Sequence, residues 1–250
     1  MISLVTGKIG SGKTLHCVGK VIRHIAQGGT VYTNIRLNWD AVALVVRQRF
    51  RRIPERDQLR YLDLVECESW HQSIEWGSPG CPVLVVLDEI HLFFNARDWA
   101  RTSAIHRPML SFLSQSRKTD TDVVFIAQVA TTLEKQFRVQ CEWEFYCRNI
   151  KDIPVPLFGT LPLNRMLLVQ KDVETDKATR RQIVAYDRGL WKCYDTRSFL
   201  DAQMREAERN AVRIPRRKLK RTPLLSRAAA WSIFLGVLAG LTSLAWKAIF

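Results

Sequence analysis

The stretch GKIGSGKT, residues 7–14, fits the pattern G-x-x-x-x-G-K-[S/T] of a loop that wraps phosphate groups. The apolar run MISLVT precedes it, with the length and branched side chains of a buried strand. After the loop, LHCVGKVIRHIAQGG has helical periodicity and closes on Gly28 and Gly29. A strand, a glycine-rich loop and a helix in this order are the setting that the pattern requires, so the sequence predicts an α/β fold built around this loop.

Each residue type in the loop has a physical reason to be there. Glycines let backbone amides curl around phosphate oxygens, and the start of the helix adds its partial positive charge. We expect the Lys13 side chain to reach the β- and γ-phosphates of ATP and the Thr14 hydroxyl to bind Mg²⁺. The predicted nucleotide-binding residues are Gly7, Lys8, Gly10, Ser11, Gly12, Lys13 and Thr14.

A second apolar run, CPVLVVLDEIH at residues 81–91, ends in two carboxylates. A continuous run of this kind is typical of a central parallel strand covered on both faces. At its end, Asp88 is predicted to bind Mg²⁺ together with Thr14, and Glu89 to polarise the attacking water. Such a pair is common by itself. Paired with the loop about 75 residues upstream, it predicts a P-loop ATPase, and the second carboxylate favours hydrolysis over binding alone.

A third run, TDVVFIAQ at residues 121–128, predicts a further buried strand that ends in Gln128. Ring-forming ATPases place a residue that senses the γ-phosphate there, but an ordinary polar residue at a strand end fits equally well. Before the strand, Arg117 is a candidate arginine finger toward a neighbouring subunit's nucleotide, with Arg138 and Arg148 as rivals. A solvated surface cation is the slightly favoured alternative for Arg117.

The remaining patterns complete a mostly parallel sheet with one appendage. GTVYTNIRL predicts a strand that ends near Asn34, and residues 40–60 predict a helix followed by a basic loop. CEWEFYC, residues 141–147, alternates like another strand of the same sheet. RMLLVQKDVE and RRQIVAYD alternate on either side of the polar TDKAT, which predicts a β-hairpin attached to the parallel core. We therefore expect a P-loop ATPase domain over residues 1–200.

The end of the chain predicts a membrane anchor. Half of the net charge of +14 comes from residues 212–227, which hold seven Lys and Arg and no acid. Residues 228–246 carry no charge, and as a helix they would span about 28 Å, near the ~30 Å thickness of a hydrocarbon core. We expect a polar helix and basic linker over residues 201–227, a transmembrane helix over 228–246 and a short outer tail over 247–250.

The charges around this segment predict its orientation. Seven cations precede it and only Lys247 follows it, so the N-terminal domain should stay in the cytoplasm of a bacterial host, on a single-pass inner-membrane anchor. No signal peptide precedes Met1, and ATP is cytoplasmic. The six cysteines are then expected as free thiols. The spacing of Gly236 and Gly240 is compatible with self-association of the span.

Together these segments resemble the zonula occludens toxin (Zot) family, the inner-membrane assembly ATPases of filamentous bacteriophages. The resemblance is carried by GKIGSGKT at the start of the chain, by VLDEIH, by LSQSRK and VVFIAQ, and by a single span after a basic segment. It covers most of the chain. The order of the motifs and the late span are the more specific part, since many ATPases share the loop and the acidic strand.

The resemblance implies partners as well as chemistry. ATP hydrolysis in the cytoplasm would drive single-stranded DNA through the inner membrane while phage coat protein replaces the DNA-binding protein, with a homo-oligomer, such as a ring, as the motor. Family members usually continue into an outer domain that meets an outer-membrane channel. Only four residues follow Trp246, so the sequence gives a channel contact no support.

Three other interpretations compete with this one. DEIH at residues 88–91 matches a helicase box, but the chain leaves no room for a second ATPase lobe after Gln128. Lys8 is similar to the extra lysine of partitioning ATPases, which lack the paired carboxylates. A membrane scaffold that uses nucleotide only to switch shape is the third alternative.

Overall fold

The computed structural model describes residues 1–64, 70–94, 99–150, 154–155, 159–160 and 164–194. Ten strands are described in these ranges: β1 Ile2–Thr6, β2 Thr30–Thr33, β3 Leu59–Tyr61, β4 Val83–Leu87, β5 Thr121–Ile126, β6 Trp143–Asn149, β7 Pro154–Val155, β8 Gly159–Thr160, β9 Arg165–Asp172 and β10 Ala178–Ala185. The described helices are α1 Lys13–Ala26, α2 Trp39–Phe50, α3 Trp99–Ser116 and α4 Lys135–Gln140.

Eight of these strands form one sheet in the order β10-β9-β6-β1-β5-β4-β2-β3. The strands from β6 to β3 in this order pair in parallel, with β1 between β5 and β6. Every residue of β1 and of β4 is buried, as expected for strands covered on both faces. β5 lies between β1 and β4, so the ends of these three strands meet at the same edge of the sheet.

Helices cover both faces of the sheet and create two apolar cores. On one face α1 and α2 contribute buried residues such as Val18, Ile22 and Val46, which pack against the sheet side of Val5 and Val86. The spacing of the buried positions in α1 follows the helical period, which explains why this segment folds as a helix. On the other face α3 and α4 supply a core that includes Met109, Leu113 and Phe137.

The predicted β-hairpin is present at the edge of the parallel sheet. β9 runs antiparallel to β6, with Tyr146 opposite Val169, and β10 runs antiparallel to β9. The hairpin therefore extends the parallel core by two strands. The predicted α/β P-loop NTPase fold with a mostly parallel sheet is confirmed.

One local prediction was incomplete. Residues 40–60 were expected to form a helix and then a basic loop, and α2 does occupy Trp39–Phe50. The last residues of that segment instead enter β3, which pairs in parallel with β2 through Val31 and Leu59. The three residues of β3 are too few to show an alternating pattern, and their partner strand lies far away in sequence.

Within the described ranges, no helix combines the length and the apolar character that a bilayer crossing needs. The predicted span at residues 228–246, the linker at 201–227 and the tail at 247–250 lie outside those ranges. These domain limits stay predictions.

Candidate nucleotide-binding site

The phosphate loop joins the end of β1 to the start of α1 and adopts a conformation that depends on glycine. Gly7 has a φ of 143° and Gly12 a φ of 92°. A Cβ on Gly7 would lie 2.2 Å from the carbonyl oxygen of Cys147, and one on Gly12 would lie 2.5 Å from the Tyr186 ring. The Gly7 amide donates to the Gln128 carbonyl at 3.1 Å, which fixes the loop to the end of β5.

Lys13 lies under the loop with only 7% of its surface exposed. Its ammonium group donates to the carbonyl oxygens of Gly7 at 2.7 Å and of Lys8 at 3.2 Å. Among the residues that the structure describes, Lys13 forms no ion pair with a carboxylate. Its charge is therefore available to an anion held by the loop, as the predicted role requires.

Thr14 and Asp88 meet although they are far apart in sequence. The Thr14 hydroxyl donates to Oδ2 of Asp88 at 2.8 Å, and Asp88 is 4% exposed. Burial raises the pKa of Asp88 to about 6, and the hydrogen bond from Thr14 opposes that shift. Asn34 holds the backbone of Asp88 on both sides: its side chain donates to the Asp88 carbonyl at 2.9 Å and accepts from the Asp88 amide at 2.7 Å.

The hydroxyl and carboxylate oxygens of this pair fit Mg²⁺, a hard cation that prefers oxygen ligands. No cluster of three or more His, Cys, Asp or Glu able to hold a metal ion occurs in the described ranges. A small protein donor set is compatible with Mg²⁺, because this ion usually keeps several waters and takes its other ligands from substrate phosphates. Thr14 and Asp88 would hold the ion, whose charge would help to neutralise the phosphates.

Glu89 follows Asp88 in a left-handed backbone conformation, with a φ of 51°. Non-glycine residues adopt such conformations rarely, and they concentrate at functional sites. The Glu89 amide donates to Oδ1 of Asp88 at 2.8 Å, which turns the chain at the end of β4. Nδ1 of His91 lies 3.3 Å from Oε2 of Glu89, but within the described residues neither atom forms a hydrogen bond, so the imidazole is a neighbour of this carboxylate and does not orient it. The sequence analysis gave His91 no role.

The structure places Gln128 and Arg117 at opposite edges of the sheet. Gln128 lies two residues after the end of β5, the strand between β1 and β4, and is therefore at the edge that carries the loop. Arg117 lies before β5, at the other edge, and donates to the Gln140 carbonyl at 2.6 Å. Arg117 is thus not part of the phosphate site of its own chain. Its action on a neighbouring subunit stays a prediction.

Residues after the hairpin line one side of the nucleotide-binding site, which the sequence analysis did not predict. The Tyr186 hydroxyl donates to the Ser11 carbonyl at 3.0 Å. A cavity of about 330 Å³, which we call the hairpin cavity, lies beside the loop. Outside the loop and α1, its lining residues are Asn149, Asn164, Tyr186, Trp191 and Tyr194. The aromatic density of YDRGLWKCYD was the available signal, but nothing in it points to the loop.

The raised pKa of Asp88 predicts a pH-dependent stability. A carboxyl group whose pKa rises on folding binds its proton more tightly in the folded state. Its ionised form therefore lowers the free energy of unfolding. This loss grows from about pH 4 to about pH 6 and is complete at higher pH. Asp88→Asn should therefore stabilise the nucleotide-free protein by about 3 kcal/mol at pH 7 and by much less near pH 4.

Denaturant unfolding of both proteins across this pH range would measure the difference. Binding of nucleotide with Mg²⁺ should strengthen as pH rises through about 6 in the wild-type chain, since the ion needs the charged carboxylate. A stability difference that stays constant between pH 4 and 7 would contradict the assignment.

Comparison with known proteins identifies the family of this chain. The sequence profile described as "Zonular occludens toxin (Zot)" matches residues 1–198. The chain belongs to the Zot family. The predicted resemblance is therefore confirmed.

Curated relatives of this Zot-family chain come from phages and are named "Gene 1 protein". The relative in Enterobacteria phage I2-2 is 34% identical over 165 residues, which cover 64% of this chain and 43% of the relative. The relative in Enterobacteria phage M13 is 33% identical, and the matched residues cover 64% of this chain and 45% of the relative. The relative in Escherichia phage If1 is 30% identical over 218 residues, 80% of this chain and 60% of its own length. The chain thus spans about half the length of these relatives.

Solved structures agree on the fold. The N-terminal domain of zonular occludens toxin from Neisseria meningitidis matches with a TM-score of 0.52 at 17% identity, over 78% of this chain and 98% of that domain. The RadB recombinase matches with a TM-score of 0.50 at 13% identity, over 73% of this chain and 85% of that one. The Zot-family chain is therefore a P-loop NTPase in fold, with the site described above at the expected edge of the sheet.

Proposed function

We propose that this chain is a membrane-anchored ATPase that powers the assembly and extrusion of filamentous phage. Membership of the Zot family and relatives that come from phages support the biological setting. The phosphate loop, with Lys13 buried beneath it, supports ATP binding. The chemistry would be cleavage of the γ-phosphate by water.

The observation that carries the proposal is the arrangement of Thr14, Asp88 and Glu89. Thr14 and Asp88 would supply two oxygen ligands for Mg²⁺ beside the loop, and Glu89 follows Asp88 at the same strand end, with Nδ1 of His91 3.3 Å from its carboxylate. In this arrangement Glu89 accepts a proton from the attacking water, while Lys13 and the loop amides stabilise charge on the transferring phosphoryl group. A protein that only bound nucleotide would not need the second carboxylate.

The membrane anchor and the partners of this chain are part of the same proposal. The uncharged segment at residues 228–246 would anchor the chain in the inner membrane of a bacterial host, with the ATPase domain in the cytoplasm. Single-stranded DNA and phage coat protein would be the transported complex, and several copies of the chain would form the motor. Relatives that come from phages support this setting.

Glu89→Gln tests whether the chain is a catalyst. The variant should lower the turnover number for ATP by roughly 100-fold or more, because the amide cannot accept the proton, while the affinity for Mg²⁺-ATP stays within a few-fold. Phosphate release by the detergent-solubilised full chain would give the turnover, and calorimetry with a non-hydrolysable ATP analogue the affinity. Size-exclusion mass with and without nucleotide would show whether turnover follows assembly.

Glu75→Gln provides the matched control, since Glu75 pairs with Arg60 on the surface and takes no part in the phosphate site. Its turnover should equal that of the wild-type chain. A Glu89→Gln variant that still supports the release of phage from infected cells at the wild-type level would favour the nucleotide-switched scaffold instead, because only a catalyst depends on cleavage.

A further inference from the structure

The hairpin cavity opens directly onto the phosphate loop. Gly10, Gly12 and Thr14 form one side of it, and the end of β6, the start of β9 and the segment after β10 form the other. A triphosphate seated on the loop would leave the rest of its nucleotide to enter an adjoining space. The cavity of about 330 Å³ is such a space.

Tyr186, Trp191 and Tyr194 line this cavity, and the two tyrosines also pack against the apolar core on the α1 face. Trp191 keeps 49% of its surface exposed. Tyr186 packs on Gly12, and burial raises the pKa of Tyr194, with the nearby Asp88 carboxylate adding to the shift. A large ring left open beside a phosphate site provides a flat face on which a nucleotide base can stack.

The turn at residues 187–194, which carries Trp191, is held in place by contacts with α2 and the residues before it. Its Asp187 side chain accepts from the Gly189 amide at 3.0 Å and pairs with Arg49 of α2, with Nη2 of Arg49 at 2.8 Å from Oδ1 of Asp187. The Asn38 amide donates to the Cys193 carbonyl at 2.8 Å, and Tyr194 forms a β-bridge to Leu37. Because both ends of the turn are fixed to the neighbourhood of α2, the backbone that carries Trp191 is held beside the cavity.

Two amide side chains accompany the aromatic residues. Asn149 is the last residue of β6 and Asn164 directly precedes β9. Asparagine pairs bidentately with the N6 and N7 edge of adenine, whereas arginine or lysine pairs with guanine. Among the described lining residues of the cavity there is no carboxylate and no arginine, and Lys13 is committed to the phosphate loop. The polar groups therefore match adenine better than guanine.

We propose that the hairpin cavity binds the nucleoside part of the nucleotide, with Trp191 stacking on the base and Asn164 selecting adenine over guanine. This inference rests on the proposed function, since it takes the loop to hold a triphosphate. It assigns a second task to the β-hairpin: the hairpin and the turn after it determine which nucleotide the site accepts.

Calorimetry on the detergent-solubilised full chain tests this with three probes: a non-hydrolysable ATP analogue, the matching GTP analogue and inorganic tripolyphosphate. Trp191→Ala should weaken binding of the ATP analogue roughly 10-fold or more, the loss expected for one base-stacking contact, and leave tripolyphosphate binding unchanged. Asn164→Ala should reduce the preference for the ATP analogue over the GTP analogue. Ile183→Ala, an exposed position on β10, is the control and should change none of the three affinities.

The outcomes separate this inference from the proposed function. Equal loss for all three probes in Trp191→Ala, or equal binding of the ATP analogue and tripolyphosphate by the wild-type chain, would overturn the nucleoside site. Base-selective binding by a chain that shows no ATP turnover would uphold the nucleoside site while the ATPase proposal failed.

Discussion

Replacing Lys13 with alanine should lower ATP turnover by about 100-fold or more. The ammonium group lies buried beneath the loop and contacts two loop carbonyls, at 2.7 and 3.2 Å. Its removal takes away the cation that would face the β- and γ-phosphates. It also removes the ammonium donor from the Gly7 carbonyl, whereas the Lys8 carbonyl keeps the Ser11 amide at 3.1 Å. Both losses weaken phosphate binding, and the first also raises the barrier to phosphoryl transfer.

Phosphate release by the detergent-solubilised full chain gives the measurement, with the thermal midpoint as a check that the variant folds. Lys135→Ala is the matched control, because that lysine is exposed at the start of α4. The control should retain full turnover. A folded Lys13→Ala protein with turnover near that of the wild-type chain would overturn the assignment of the loop.

Gly7→Ala should be the second large change, and it acts on the fold before it acts on the chemistry. The new Cβ would lie 2.2 Å from the Cys147 carbonyl oxygen, a backbone atom that cannot rotate away, at a φ of 143°. We expect a loss of about 3 kcal/mol or more in the free energy of unfolding, from overpacking and backbone strain together. Nucleotide binding should fall with it, because the Gly7 amide and carbonyl both belong to the loop's hydrogen bonds.

Gly80→Ala separates the two causes. Gly80 also has a positive φ, 87°, but a Cβ there meets no heavy atom within 4 Å. This variant should lose only about 1 kcal/mol, from the backbone conformation alone. Denaturant unfolding of both variants gives the comparison, and equal losses would show that the contact with Cys147 does not restrict the loop.

The sequence predicted those parts of the site that are contiguous in the chain. Lys13 and Thr14 follow from a loop pattern, and Asp88 and Glu89 from carboxylates at the end of an apolar run, because each signal lies within about ten residues. The structure brings Thr14 and Asp88 within hydrogen-bonding distance of each other. The catalytic roles of these residues remain predictions until turnover is measured.

The sequence could not predict the residues that come from elsewhere. Asn34 holds Asp88 from a neighbouring strand, and Tyr186 reaches Ser11 across 175 positions of the chain. Such contacts depend on strand order and on where the hairpin attaches, which no local pattern encodes. Arg117 shows the opposite error. An arginine near a strand suits the role of an arginine finger, but Arg117 lies at the edge of the sheet opposite the phosphate loop and bonds to the Gln140 carbonyl.

The central position of β1 has a consequence for the synthesis of the protein. β1 is made before its partners β5 and β6, which place Val124 opposite Ser3 on one side and Trp143 on the other. A strand that is fully buried in the folded domain must therefore wait, unpaired, until those later strands have been translated. The nascent chain should need shielding from aggregation during that interval, and the phosphate loop should reach its final form only after Tyr186 has left the ribosome.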